Sequence, residues 1–246
     1  MHQRVDEALK KYDFSGRLRL LGEDAEQFIP NSVAELSAFI RKCAHEGKRV
    51  RVVGGANSYS PIIQSADRGA LVSLFNLDRL LDVDIEKKQV TVQAGIRERD
   101  LHDIVSEYGW SLPQVTRKFN VLAGGLNSGH HSSGSDIPEV ASAIVVGMKI
   151  MNGLGEVITA NPGDDLFYAG LVGLGRAGIV VEYTLQCVEK FYLKAVGVQS
   201  STSHLLETMV DVAPTKKFWR LIFFSIHWHR IRLIYAFRVS RRRVHL

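Results

Sequence analysis

Apolar residues recur at helical spacing over residues 33–43, where Val33, Leu36, Phe39, Ile40 and Cys43 mark one face. Ser32 precedes this run and Glu35 follows three residues later, the spacing of a capping box, while Gly47 closes the helix. Val50, Val52 and Val53 then give a β-branched strand, and residues 14–28, with Leu18, Leu20 and Phe28, read as an extended arm or strand before the helix. A β-α-β unit follows from this order. Further along, 70–75 is an apolar strand, and 81–85 with 89–94 form a hairpin across Glu86-Lys87-Lys88. Residues 96–108 repeat at helical spacing, and 121–134 read as a loop rich in Gly, Ser, Asn and His. A second hairpin is predicted from 143–151 and 156–159 around Asn152-Gly153. Residues 164–171 predict a short helix, and 179–189 a long final strand with Val181, Tyr183, Leu185 and Cys187 on one face. Helices alternate with strands early and hairpins dominate later. The fold class is therefore α+β, a small βαβ lobe joined to a larger mixed-sheet lobe.

Composition adds little until charge is mapped. The 46% hydrophobic and 23% charged content over 246 residues is that of a soluble globular chain. The net charge of +5 resides in the tail: nine of the 31 basic residues follow Asp211, where there is no acidic residue. The rest holds 22 basic against 26 acidic residues, so no basic face for nucleic acid is expected. Cys43 and Cys187 lie in apolar-periodic segments and are expected as buried thiols. The polar N-terminus carries no secretory message. Localisation is open, cytoplasmic by default, with association of the basic tail with anionic lipid as the alternative. The 221–237 run is apolar but broken by His227, His229, Arg230 and Arg232, a poor membrane span.

Three stretches carry candidate chemistry. The strand at Val53 breaks on Gly54-Gly55-Ala56-Asn57-Ser58, followed by Tyr59, Ser60 and Pro61. Small residues there let backbone N–H groups converge, which fits either a tight turn or an anion cradle. Gly173-Leu-Gly-Arg-Ala-Gly178 matches the G-x-G-x-x-G dinucleotide pattern, but a helix precedes it and a strand follows. The nicotinamide fingerprint requires the reverse order, so that reading is set aside. His130-His131 and His227-Trp228-His229 lack a third ligand at convincing spacing, and no metal site is expected.

Five features in order carry a resemblance. They are Phe28-Ile-Pro30 before the capped helix, Arg51-Val-Val-Gly-Gly-Ala-Asn-Ser-Tyr-Ser-Pro61, Val90-Thr-Val-Gln-Ala-Gly95, Ala123-Gly-Gly-Leu-Asn-Ser-Gly-His-His-Ser-Ser-Gly134, and Gly173-Leu-Gly-Arg-Ala-Gly-Ile-Val180. The chain resembles the vanillyl-alcohol-oxidase-type (PCMH-type) FAD-binding domain, and is most similar to the sugar-lactone and alditol oxidases. The resemblance implies that Val53, Gly54, Gly55, Ala56, Asn57, Ser58 and Tyr59 wrap the FAD diphosphate. It implies that Gly124, Gly129, His131, Ser132 and Ser133 form a second loop near the ribityl chain and isoalloxazine, and that Ile179 faces the flavin or adenine through its main chain. His130 stands where relatives commonly have threonine; local hydrogen bonding is the other reading of this histidine pair.

Asn57 stands where many relatives carry a histidine bonded to the flavin. An amide has no nucleophilic ring nitrogen, so non-covalent FAD is expected. Ala56 replaces a glycine common in the family. The resemblance places an FAD-binding domain at 14–195, with subdomains at 14–80 and 81–195. It places a linking helix, the start of a truncated substrate domain, at 196–217, and leaves 218–246 as a basic apolar tail. The implied activity is oxidation of a CH–OH group of a sugar lactone or polyol, with hydride passing to flavin N5 and on to O₂ or another acceptor. The catalytic residues are unassigned. The alternative is a flavin-binding module without turnover, because the substrate domain of the relatives has no counterpart in these residues.

Overall fold

The computed structural model describes residues 21–58, 61–113, 120–131, 140–200, 220–227 and 230–239, with side chains as far as Tyr192. Strand β1 (Glu26–Phe28) leads into helix α1 (Val33–His45). Ser32, extended at φ −149°, accepts the Glu35 N–H at 3.1 Å. The Glu35 carboxylate reaches back to the Asn31 N–H at 2.8 Å, one residue earlier than in the standard capping box. Leu36, Phe39, Ile40 and Cys43 are the buried face, as the spacing predicts, and Phe39 stacks on Phe28 at 4.0 Å. Ser32→Ala should cost about 1 kcal/mol of unfolding free energy by denaturant titration, the usual loss for a serine cap.

Strand β2 (Val50–Val53) and strand β3 (Ala70–Ser73) complete a parallel sheet of order β1-β3-β2. All four residues of β3 are buried, because a central parallel strand is covered on both faces. The β-α-β unit is thus present, with β3 inserted between its two strands. The Gly54 loop leaves at the carboxyl end of β2, beside β3.

The second sheet comprises β4 (Leu80–Asp84), β5 (Gln89–Gln93), β7 (Val145–Met151), β8 (Val157–Ala160) and β9 (Ile179–Gln186). Its order is β4-β5-β9-β7-β8, antiparallel throughout. Val90, Val92, Val181, Tyr183 and Leu185 point into the core, and Thr91, Thr184 and Glu182 alternate onto the other face. Between these strands lie α2 (Glu98–Glu107), β6 (Trp110–Ser111), α3 (Leu122–Asn127) and α4 (Asp165–Leu171). Leu101 and Val105 of α2, Leu126 of α3 and Phe167 of α4 join the same buried cluster as α1 and the sheet. Cys43 and Cys187 are buried free thiols, and burial pushes the Cys187 thiol up to about 11.

Three sequence expectations change. The stretch read as a loop over 121–134 contains helix α3, a segment with two interior glycines that propensity disfavours. Tertiary contact supports it instead: Leu122 and Leu126, four residues apart, are buried, and the Leu122 and Ala123 N–H groups donate to the Ile96 and Ala94 carbonyls at 2.9 and 3.1 Å. The strand from Ile179 is not the last. It gives way to β10 (Val188–Glu189), paired with β6, and then to β11 (Tyr192–Ser200). The apolar 221–237 run is a hairpin, β12 (Arg220–His227) and β13 (Arg230–Val239), in a sheet of order β11-β13-β12. The expected boundary at 195 falls inside β11, while the proposed linking helix, Trp228 and His229 lie largely outside the described residues. Among the described residues, no helix is long and apolar enough to cross a membrane.

A candidate cofactor cleft between the two lobes

The lobes meet at Ala94–Ile96, just after β5. The Ala94 N–H donates to the Val181 carbonyl at 2.9 Å, and the Ala94 carbonyl accepts the Ala123 N–H at 3.1 Å. Gly95 N–H donates to Leu77 at 2.8 Å, and the Ile96 carbonyl accepts the Leu122 N–H at 2.9 Å. One short segment therefore anchors β9, the turn after β3 and the start of α3. A Cβ on Gly95 would lie 1.7 Å from the Leu74 carbonyl oxygen, so only glycine admits this crossing.

This junction sets α3 opposite the Gly54 loop. A Cβ built on Gly54 would stand 3.2 Å from Gly124 Cα, and one on Gly124 would stand 3.3 Å from Gly54 Cα. The Gly54 loop and α3 thus approach backbone to backbone, and a Cβ on either glycine would be held tighter than nine in ten real Cβ contacts. Asn57 fastens the same contact from outside: its amide donates to Asn120 Oδ1 at 2.9 Å, just ahead of α3.

A cleft open to solvent, with a cavity volume of about 160 Å³, runs along this contact. Its walls come from β2 and the Gly54 loop, Ile62 and Ile63, α3 with Ser128, and the Leu174–Val180 segment into β9. Among the described residues the lining contains no carboxylate, and Arg51 is its charged group. A glycine-lined wall with one guanidinium and no acid suits an anionic, extended ligand such as a dinucleotide diphosphate.

The sequence-derived site residues fall into three groups. Val53, Gly54, Gly124 and Ile179 line the cleft. Gly55, Ala56, Asn57, Ser58, Gly129 and His131 sit on the same loops but outside its lining. Ala56 is buried and holds φ +54°, a left-handed backbone that glycine adopts without strain. Gly129 likewise has φ +69°, and His131 is exposed, its backbone bridged to Val140. Tyr59, Ser132 and Ser133 lie outside the described residues.

Several lining residues escaped the sequence reading as ligand contacts: Arg51, Ile62, Asn127, Ser128, Leu174 and Gly175. Arg51 was legible in principle, since it sits three residues before Gly54 on a strand otherwise apolar. Asn127 was hidden by the missed helix; its amide donates to the buried Tyr183 hydroxyl at 2.7 Å and to the Ala123 carbonyl at 3.2 Å. The G-x-G-x-x-G stretch does reach the cleft through Leu174, Gly175 and Gly178, with α4 before it and β9 after.

Comparison with known proteins agrees with this geometry. A family model described as the FAD binding domain matches residues 27–161. L-gulonolactone oxidase of Bos taurus is 32% identical over 211 residues, which cover 85% of this chain and 47% of that protein. The L-galactono-1,4-lactone dehydrogenase of Brassica oleracea is 36% identical over 164 residues, 65% of this chain and 27% of its own. Among solved structures, a Phl p 4 variant described as a glucose oxidase superposes with a TM-score of 0.74 at 17% identity, over 86% of this chain and 45% of that one; this likeness concerns the fold. The chain spans about half the length of the gulonolactone oxidase and about a quarter of the dehydrogenase. With the match covering more than half of its residues, the chain belongs to the FAD binding domain family, and it is similar in sequence to the sugar-lactone oxidases and dehydrogenases.

Proposed function

We propose that the cleft between the Gly54 loop and α3 holds FAD without a covalent bond, and that the chain is the flavin-binding part of an oxidoreductase acting on a CH–OH group of a sugar lactone or polyol. The observation that carries this is the acid-free, glycine-bearing lining along the Gly54–Gly124 contact, where a Cβ on either glycine would press on the opposing backbone. Val53, Gly54, Gly124 and Ile179 would hold the cofactor, with Arg51 facing its diphosphate charge. FAD, when bound, supplies the hydride acceptance that no side chain can. The chain's own residues bind and orient it: the Ala94–Ile96 junction fixes the two loops, and the Asn57–Asn120 bond closes their outer side. Asn57 offers an amide where a flavin-linking imidazole would be needed, so this position supports retention by contact alone.

A second reading is a flavin-binding module with no turnover of its own. It is favoured by the lining, where among the described residues Arg51 is the charged group and its guanidinium is a hydrogen-bond donor with no acceptor to offer a donor hydroxyl.

The deciding measurement is the visible absorption spectrum of the purified protein, repeated on the supernatant after acid precipitation. Flavin bands that move to the supernatant are expected. Colour kept in the pellet would overturn the non-covalent assignment, and no flavin after reconstitution would overturn the cofactor itself. Bleaching of the bound flavin by L-gulono- or L-galactono-1,4-lactone under nitrogen separates the enzyme from the silent module.

A further inference from the structure

Beside α3, Glu98 and His130 are buried together. Their side chains are 5% and 17% exposed, and Glu98 Oε1 lies 3.4 Å from His130 Nε2. Neither Glu98 Oε1 nor His130 Nδ1 has a hydrogen-bond partner among the described residues. The backbone around them is fixed. Glu98 N–H donates to the Asn120 carbonyl at 3.0 Å, His130 N–H to Gly125 at 3.0 Å, and the His130 carbonyl accepts the Ala141 N–H at 3.0 Å.

Gly125 makes the space. A Cβ there would lie 2.0 Å from His130 Nδ1 and 3.1 Å from Glu98 Oε1. Adjacent glycines of α3 therefore serve different neighbours, Gly124 the cleft and Gly125 the carboxyl–imidazole pair.

We propose that Glu98 and His130 hold one shared proton beside α3, and that this neutral pair positions α3, whose Gly124 and Asn127 line the cleft together with Ser128, for FAD, so that cofactor retention weakens when the proton is lost. The proposal rests on the FAD reading of the cleft. A neutral carboxyl donates to an imidazole nitrogen and leaves no net charge in a dry site, whereas a carboxylate there is an uncompensated buried anion. Burial pushes the Glu98 carboxyl up to about 8 and the His130 imidazole down to about 4, with neighbouring His131 adding to the latter. The other charged groups nearby are engaged elsewhere: Arg97 lies over the Phe75 ring at 4.6 Å, and Arg99 pairs with Asp100 at 2.9 Å. Helix α3 and the Ala141–Ile144 turn beside it carry no titratable side chain.

The linkage has a definite sign. Between the ordinary carboxylate range and about pH 8, folded Glu98 keeps a proton that the unfolded chain has released, so stability falls as pH rises and levels off above. His130 has the opposite slope, with stability rising from about pH 4 to the ordinary imidazole value near 6.5 and flat beyond. From about pH 6.5 to 8 the Glu98 slope therefore acts alone.

The test is FAD titration by flavin fluorescence from pH 6 to 9, with melting of the apoprotein over the same range, for the wild type and Glu98→Gln. Glutamine keeps a donor toward His130 but cannot ionise. The wild type should bind FAD at least tenfold more weakly at pH 9 than at pH 6.5, and its apoprotein melting temperature should fall between pH 6.5 and 8. Glu98→Gln should bind within about threefold of the wild type at pH 6.5 and lose both pH dependences. Wild-type affinity that is flat with pH, or an equal slope in Glu98→Gln, overturns the proposal while leaving the FAD site standing. Failure of the wild type to bind FAD at any pH overturns both, and the apoprotein melts would then report the pair alone.

Discussion

Gly95→Ala should be the most destabilising glycine-to-alanine change among the described residues. Its new Cβ would sit 1.7 Å from the Leu74 carbonyl oxygen, 2.6 Å from the carbon bearing it and 2.8 Å from the Leu77 carbonyl oxygen. These are backbone atoms, so no rotamer change relieves the overlap. Relief would require moving the turn after β3, which also breaks the 2.8 Å bond from Gly95 N–H to Leu77. A cost of about 4 kcal/mol or more is expected, at the extreme of single substitutions and a large part of a typical 5–15 kcal/mol total. In a chain of this size that is roughly 10 °C or more in melting temperature. A Gly95→Ala protein melting within 2 °C of the wild type would mean the crossing is not as tight as described.

Gly54→Val and Gly124→Val should each abolish flavin retention while leaving most of the fold intact. A valine adds two methyl groups beyond a Cβ that is already 3.2–3.3 Å from the opposing backbone, so the loops must part. Parting them widens the wall that carries Val53, Gly54 and Gly124. FAD affinity should drop by about 100-fold, against a stability loss of about 1–3 kcal/mol, the usual cost of overpacking. The ratio of flavin to protein absorbance, compared with the melting temperature of the apoprotein, separates the two effects. Retention of flavin by both variants would remove this contact from the cofactor site.

Much of this arrangement was legible in the residues. The spacing of Leu36, Phe39, Ile40 and Cys43, the Ser32 cap and the alternation in β5 and β9 each have a local cause, so periodicity found them. The cradle was legible at Gly54, because five small residues after a strand are a local signal. What stayed hidden depends on neighbours distant in sequence. Helix α3 contradicts its own propensities and is held by Ala94, Ile96 and buried leucines. Glu98 looks like any first-turn acid of a helix and is buried only because His130 and Gly125 come to it. The β12–β13 pairing was obscured by Arg230 and Arg232, which interrupt the apolar run and yet lie within the paired strand β13.

The antiparallel sheet has a consequence for the order in which the protein is made. Strand β5 finds β4 across a four-residue turn, but its other neighbour, β9, is far ahead: the Thr91 and Thr184 hydroxyls, 3.0 Å apart, are separated by 93 positions. Closing so long a loop carries an entropic cost before any contact offsets it, and topologies dominated by such pairings fold slowly. The Ala94–Val181 bond that anchors the junction belongs to the same late pairing. During synthesis the small parallel lobe can form early, whereas the cleft waits until β9 has been translated. A flavin therefore meets a nearly finished domain, and the nascent chain spends that interval with β5 as an open edge.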